Sequence, residues 1–145
     1  MTALITYFVT ALVVSFLCSL LESVLLSISI THVSVLEKNG SHSGKIMAEL
    51  KENINRPLAA ILTINTIANT VGAAGVGAQT MNLYGNEWVA IASGILTLSI
   101  LIFSEIIPKT IGAVYNKSLS SFTAYTVRSL MIIAYPFVVL SEFMA

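Results

Sequence analysis

From Pro57 to Tyr84 the chain runs without a single charged residue. A helix needs about 20 apolar residues to cross hydrocarbon, so this stretch reads as a membrane span and dictates the surroundings of everything near it. Two more stretches qualify. One runs from about Leu4 to Ile30 with Glu22 as its only charge; the other runs from Trp88 to Ile107 with Glu105 as its only charge and stops at Pro108-Lys109. Only 10% of the 145 residues are charged and 56% are hydrophobic, against about 25% charged in an average soluble domain. The expectation is an all-α membrane protein with three transmembrane helices in a single domain covering residues 1–145.

The N-terminal stretch lacks a basic start, and its apolar run exceeds the roughly 7–15 residues of a signal peptide core, so it is expected to be a retained span. The segment from about residue 117 to 145 is different. Arg128 interrupts it, Pro136 breaks it, and Ser120, Ser121, Thr123, Thr126 and Ser129 dilute its first half. An interfacial helix lying along the bilayer surface suits that pattern. Between the first two spans, residues 31–56 read as polar juxtamembrane helices, Ser34–Lys38 and Ser43–Asn53, parted by the breaker Asn39-Gly40.

Basic residues set the expected orientation. Lys38, Lys45, Lys51 and Arg56 lie between spans one and two, and Lys109, Lys117 and Arg128 follow span three, whereas Met81–Glu87 has neither Lys nor Arg. The positive-inside rule places the N-terminus outside and the C-terminus in the cytoplasm of a cell-membrane protein. A formal net charge of zero argues against nucleic acid as a partner; the lipid bilayer is the partner the composition demands. The lone Cys18 has no disulfide partner in the chain, and neither it nor His32 and His42 stands at zinc spacing.

A carboxylate at the helix centre costs roughly 2.5–3.5 kcal/mol on insertion scales, so such groups tend to face a cavity or an ion path. Glu105 is therefore the first candidate ligand. Asn65, Asn69 and Gly72 recur at i, i+4 and i+7 on one helical face. Interhelical hydrogen bonding would also account for either Asn. The small-residue run that follows, with Ala73/Gly77 and Ala74/Ala78 at small-xxx-small spacing, suits close helix packing, although a backbone ligand near Gly72 stays open. Pro108 has no N–H, which denies the Ser104 carbonyl its usual donor four residues on and leaves an oxygen beside Glu105. The competing reading is that Glu105 pairs with Lys109, at i+4. In the first span Ser19, Glu22 and Ser23 lie within about a turn; for Ser15, Ser27 and Ser29 the default is a bond back to their own helix. Oxygen ligands without sulfur or imidazole favour Mg2+, Ca2+ or Na+ over zinc or copper.

Three ordered motifs carry a family likeness: Ser19-Leu20-Leu21-Glu22-Ser23-Val24-Leu25-Leu26-Ser27; Asn55-Arg56-Pro57-Leu58 leading into Asn65-Thr66-Ile67-Ala68-Asn69; and Ser104-Glu105-Ile106-Ile107-Pro108-Lys109. Through them the chain resembles the transmembrane (DUF21) domain of the CNNM/CorC magnesium transporters. Leu20 and Leu21 replace small residues of the family pattern, Ser104 replaces a glycine, and Thr66 replaces a common Asn. The resemblance implies three transmembrane helices, cytoplasmic juxtamembrane helices, a homodimer, and a cytoplasmic CBS-type regulatory domain in the full-length protein. It also implies a Mg2+ site built from Ser19 or Ser23, Asn69 with Asn65 nearby, and Glu105, with a carbonyl near Ser104 or Gly72. The expected function is Mg2+ transport, export in exchange for Na+ on the family pattern. The alternative is a Mg2+-sensing subunit or scaffold that regulates a partner without transporting. No membrane-embedded base serves Ser104 or Cys18 as a nucleophile, so an enzyme is not expected.

Overall fold

The computed structural model describes residues 1–144, leaving aside the side chains of Ser141, Glu142 and Met144. Its described residues form helices and turns only. α1 (Thr2–Ser27), α2 (Ile30–Lys38), α3 (His42–Glu52) and α4 (Asn55–Tyr84) come first. A 3-10 turn (Asn86–Trp88), α5 (Val89–Ser99), a π-helical segment (Ile100–Ile106) and α6 (Ile107–Val114) follow without a break. α7 (Asn116–Ile133) and α8 (Tyr135–Met144) end the described chain. Among the described residues three helical units are long and apolar enough to span a bilayer: Thr2–Ser27, Asn55–Tyr84 and Asn86–Val114.

The third span extends seven residues beyond Ile107, where the proline was expected to end it. The reason lies in the winding. The Ile107 N–H donates to the Ile102 carbonyl, five residues back, so the helix is already widened when Pro108 arrives. Pro108 then stands in the first turn of α6, directly after this widened turn, the kind of local irregularity by which a continuous helix accommodates a proline.

The juxtamembrane hairpin also starts earlier than the sequence suggested. Ser29 accepts a hydrogen bond from the His32 N–H at 3.1 Å and so caps α2 in the manner of Ser side chains at helix starts. Ser41 does the same for α3 through the Gly44 N–H at 3.2 Å, and Gly40 turns the chain between them with φ +79°. α3 presents Ile46, Met47 and Leu50 on one face, and these pack with Leu21, Leu25 and Ile28 of the first span and Ala124 and Val127 of α7. The Lys51 ammonium donates to the carbonyls of Leu25 (3.1 Å) and Ile28 (2.6 Å), closing the C-terminal end of α1. Burial lowers its pKa from the ordinary 10.5.

α4 packs along α1, and glycine sets the closeness. A Cβ on Gly72 would overlap Ala11, and one on Gly75 would overlap the Tyr7 ring. Ala73, Ala74 and Ala78 face outward instead, and the nearest atom to a Cβ on Gly77 is a Val89 methyl at 4.0 Å. The intrachain helix contact is thus made by Gly72 and Gly75, and the two small-xxx-small pairs lie off it. The expected interfacial segment appears as two helices hinged at Ala134, just before Pro136; α7 packs on α1, α3 and α4, and α8 packs on α4. The last residue of that segment, Ala145, lies outside the described residues.

Candidate metal centre

Three contacts register the spans against one another. Ala11 meets Gly72 where α1 and α4 touch. The Ser104 hydroxyl donates to the Leu12 carbonyl at 2.8 Å. Further along, the Ser23 hydroxyl donates to the Lys109 carbonyl at 2.6 Å, where Gly112 lets the helices close. α1 and the third span therefore run parallel, with α4 antiparallel to both.

At about 1.5 Å per residue, Ser15 lies about 6 Å beyond Ala11, and Asn69 about 4.5 Å beyond Gly72 in the same direction. Glu105 directly follows Ser104, whose hydroxyl reaches the same level of α1. Ser15, Asn69 and Glu105 thus share one depth within about a helical turn. Ser15 also has a suitable face. At about 100° per residue, Ser15 falls between the face of α1 that meets α4 (Tyr7, Ala11) and the face that meets the third span (Leu12). Ser19 and Glu22 continue that stripe at i+4 and i+7.

Among the described residues, two oxygens at this level are buried without a hydrogen-bond partner: Asn69 Oδ1 and Ser15 Oγ. The Asn69 amide N–H reaches Asn65 Oδ1 only at 3.5 Å. A buried polar group without a partner costs about 1–3 kcal/mol, and native folds keep few of them. Glu105 is partly buried, and it forms no ion pair with Lys109. α4 touches the third span mainly along α5 and the 3-10 turn, whereas the π segment and α6 pack on α1. The two asparagines therefore sit where α4 parts from the third span.

The other candidates are placed as follows. Ser19 is buried on the Ser15 stripe, 2% exposed. Ser23 lies two turns beyond Ser15, about 12 Å along the axis, and its hydroxyl is committed to Lys109. Ser104 is fully buried, and its hydroxyl holds the third span to α1. Gly72 is accounted for by helix packing. Ser15 is the residue that sequence reasoning missed: it was assigned a bond to its own helix and makes none. Its signal was present, because Ser15, Ser19 and Glu22 repeat the i, i+4, i+7 spacing of Asn65, Asn69 and Gly72.

Among the described residues no three of His, Cys, Asp and Glu converge. The donor set at this depth is one carboxylate with neutral amide and hydroxyl oxygens. Such a set suits a small hard cation that retains several waters, as Mg2+ does.

The profile of the cyclin M (CNNM) transmembrane N-terminal domain matches residues 6–145, nearly the whole chain. The chain belongs to the CNNM family. This CNNM domain is 36% identical over 126 residues to the UPF0053 protein sll1254 of Synechocystis sp., covering 87% of the chain and 36% of that protein. A UPF0053 protein of Haemophilus influenzae is 35% identical over 138 residues, covering 95% of the chain and 33% of the relative. The UPF0053 inner membrane protein YfjD of Escherichia coli is 33% identical over 103 residues, which is 71% of the chain and 24% of that protein. The CNNM domain spans about a third or less of these curated relatives. With its three apolar spans, it is an integral membrane protein.

Proposed function

We propose that this CNNM domain binds Mg2+ between its three spans and carries it across the bilayer. The observation that carries the reading is the buried, partnerless Asn69 Oδ1 at the depth of Glu105. Glu105 supplies the charge, and Asn69 and a first-span hydroxyl, Ser15 or Ser19, supply neutral oxygens. Asn65, one turn away on α4, adds a further amide oxygen near Asn69, and water fills the remaining positions. The splay between α4 and the third span is the joint at which the site changes its access from one side to the other. The family resemblance supports export coupled to Na+, a homodimer, and a cytoplasmic CBS-type domain in the full-length protein. Three crossings and the placement of Lys and Arg support an outside N-terminus and a cytoplasmic C-terminus.

The test is Glu105→Gln in the full chain, by Mg2+ calorimetry in detergent and by Mg2+ flux in liposomes. Removing the only carboxylate of the donor set should weaken binding at least tenfold, which corresponds to about 1.4 kcal/mol, and should abolish flux. Unchanged affinity would refute the site. Binding that depends on Glu105 without any flux would make the domain a Mg2+ sensor instead.

A further inference from the structure

The stripe of α1 that carries Ser15 runs on beyond the candidate site. Ser19, Glu22 and Leu26 follow it at i+4, i+7 and i+11 and face the same gap between α4 and the third span. Exposure rises along the stripe: Ser15 and Ser19 are buried, Glu22 is partly buried, and Leu26, beside the end of α1, is 52% exposed. In the other direction the stripe is apolar. Leu4 and Phe8 meet Val76 of α4 and Ile95 of α5 around a cavity whose Thr80 hydroxyl donates to the Val76 carbonyl. A cation that approaches Glu105 along polar groups of this stripe therefore passes Glu22.

Glu22 has no counter-charge. Ser23 beside it donates to the Lys109 carbonyl, yet among the described residues neither Lys109 nor any other basic side chain forms an ion pair with Glu22. The Ser19 hydroxyl, one turn away, makes no hydrogen bond although Ser19 is buried. A lone carboxylate in a span is costly and marks an ion path by default, and the buried hydroxyl above it is a second group in want of a partner.

We propose that Glu22 and the Ser19 hydroxyl form a second, weaker site for a hydrated divalent cation. One carboxylate and one neutral oxygen hold an ion that keeps most of its water, as Mg2+ does. The partial exposure of Glu22 leaves that water in place and lets salt screen the attraction, so this site is the weaker of the two. Glu22 lies seven residues beyond Ser15, about 10 Å along the axis, too far for one ion to touch both levels. The site is a waiting position between the juxtamembrane end of α1 and Glu105. That role rests on the transport reading; the binding at Glu22 does not, and either can fail alone.

The experiment counts bound Mn2+, which favours the same oxygen ligands as Mg2+, by electron paramagnetic resonance. It uses the full chain in nanodiscs of phosphatidylcholine, a lipid without net charge. Wild type should bind one ion tightly and a second weakly. Glu22→Gln should lower the affinity for the weak ion at least tenfold. It should weaken the tight one only about fourfold, the Coulomb weight of one charge on a dication about 10 Å away in water. Glu22→Asp, which keeps the charge, should keep the weak ion and so separates lost binding from lost folding. Glu37→Gln, which removes an exposed carboxylate of α2, should change neither ion. A single bound ion in wild type, or a weak ion that survives Glu22→Gln, would overturn the proposal. Equal loss from Glu37→Gln would reduce it to general surface charge and overturn it as well. A tight ion that survives Glu105→Gln while Glu22→Gln removes the weak one would refute the Glu105 site and leave this one standing.

Discussion

Replacing Asn69 by leucine, which has nearly its size and shape, separates a ligand from a structural amide. In the structure Asn69 Oδ1 is buried and partnerless, and its N–H reaches Asn65 only at 3.5 Å. A well-made side-chain amide bond contributes about 1–2 kcal/mol or less in a membrane, and this one, within α4 at 3.5 Å, is worth little of it. Removing the partnerless oxygen recovers about 1–3 kcal/mol. Without Mg2+, Asn69→Leu should therefore be more stable than wild type, by about 0.5–2 kcal/mol net. With Mg2+ the order should invert. A ligand at a hundred times its dissociation constant stabilises the native state by about 2.7 kcal/mol, and the variant forfeits most of that. The assay is thermal unfolding of the purified chain in detergent, with chelator and then with saturating Mg2+. The two curves should cross. An Asn69→Leu variant that is less stable than wild type in chelator would show that the amide is structural, and equal Mg2+ stabilisation of both proteins would show that no ion rests on it.

Two further outcomes follow from the packing. Gly72→Ala forces a methyl into Ala11 and should destabilise the chain by about 1–3 kcal/mol, the usual cost of overpacking. Gly77→Ala, with 4.0 Å of clearance, should be neutral or stabilising by up to about 1 kcal/mol from helix propensity; melting temperatures in detergent distinguish the two. Lys51→Met removes both bonds that close α1 and should cost about 1.5–3 kcal/mol, in line with hydrogen bonds to a charged donor. Because burial lowers the Lys51 pKa in the folded state, the folded chain binds fewer protons there than the unfolded chain. Stability gains from this group as pH climbs from its folded value toward 10.5, and urea titrations across that window should show the gain vanish in Lys51→Met.

Much of this arrangement was legible in the linear chain, because lipid leaves few choices. A run such as Pro57–Tyr84, without a charge, has to bury its backbone polar groups in its own helix, so the three spans and the polar hairpin between them follow from composition and spacing. Glu105, Asn65 and Asn69 stood out for the same reason: polar groups are expensive in hydrocarbon. The motifs around Ser19–Ser27, Asn55–Asn69 and Ser104–Lys109 carried the family likeness, and the match over residues 6–145 established it.

What the linear chain left open was everything that depends on how one helix is phased against another. Pro108 reads as a stop, yet a widened π turn lets the helix pass through it to Val114. Ser15, Ser19 and Ser23 are the same residue type on one helix. Only the contacts Ala11–Gly72, Ser104–Leu12 and Ser23–Lys109 put the first at the level of Asn69 and occupy the last with a backbone carbonyl. The small-residue run could have served any close contact, and Gly72 and Gly75, not the alanines, make it within the chain. Propensity and hydrophobicity are properties of single residues and short windows. Depth, facing and the absence of a hydrogen-bond partner are relations between segments far apart in sequence, and they come into being only when the spans pack.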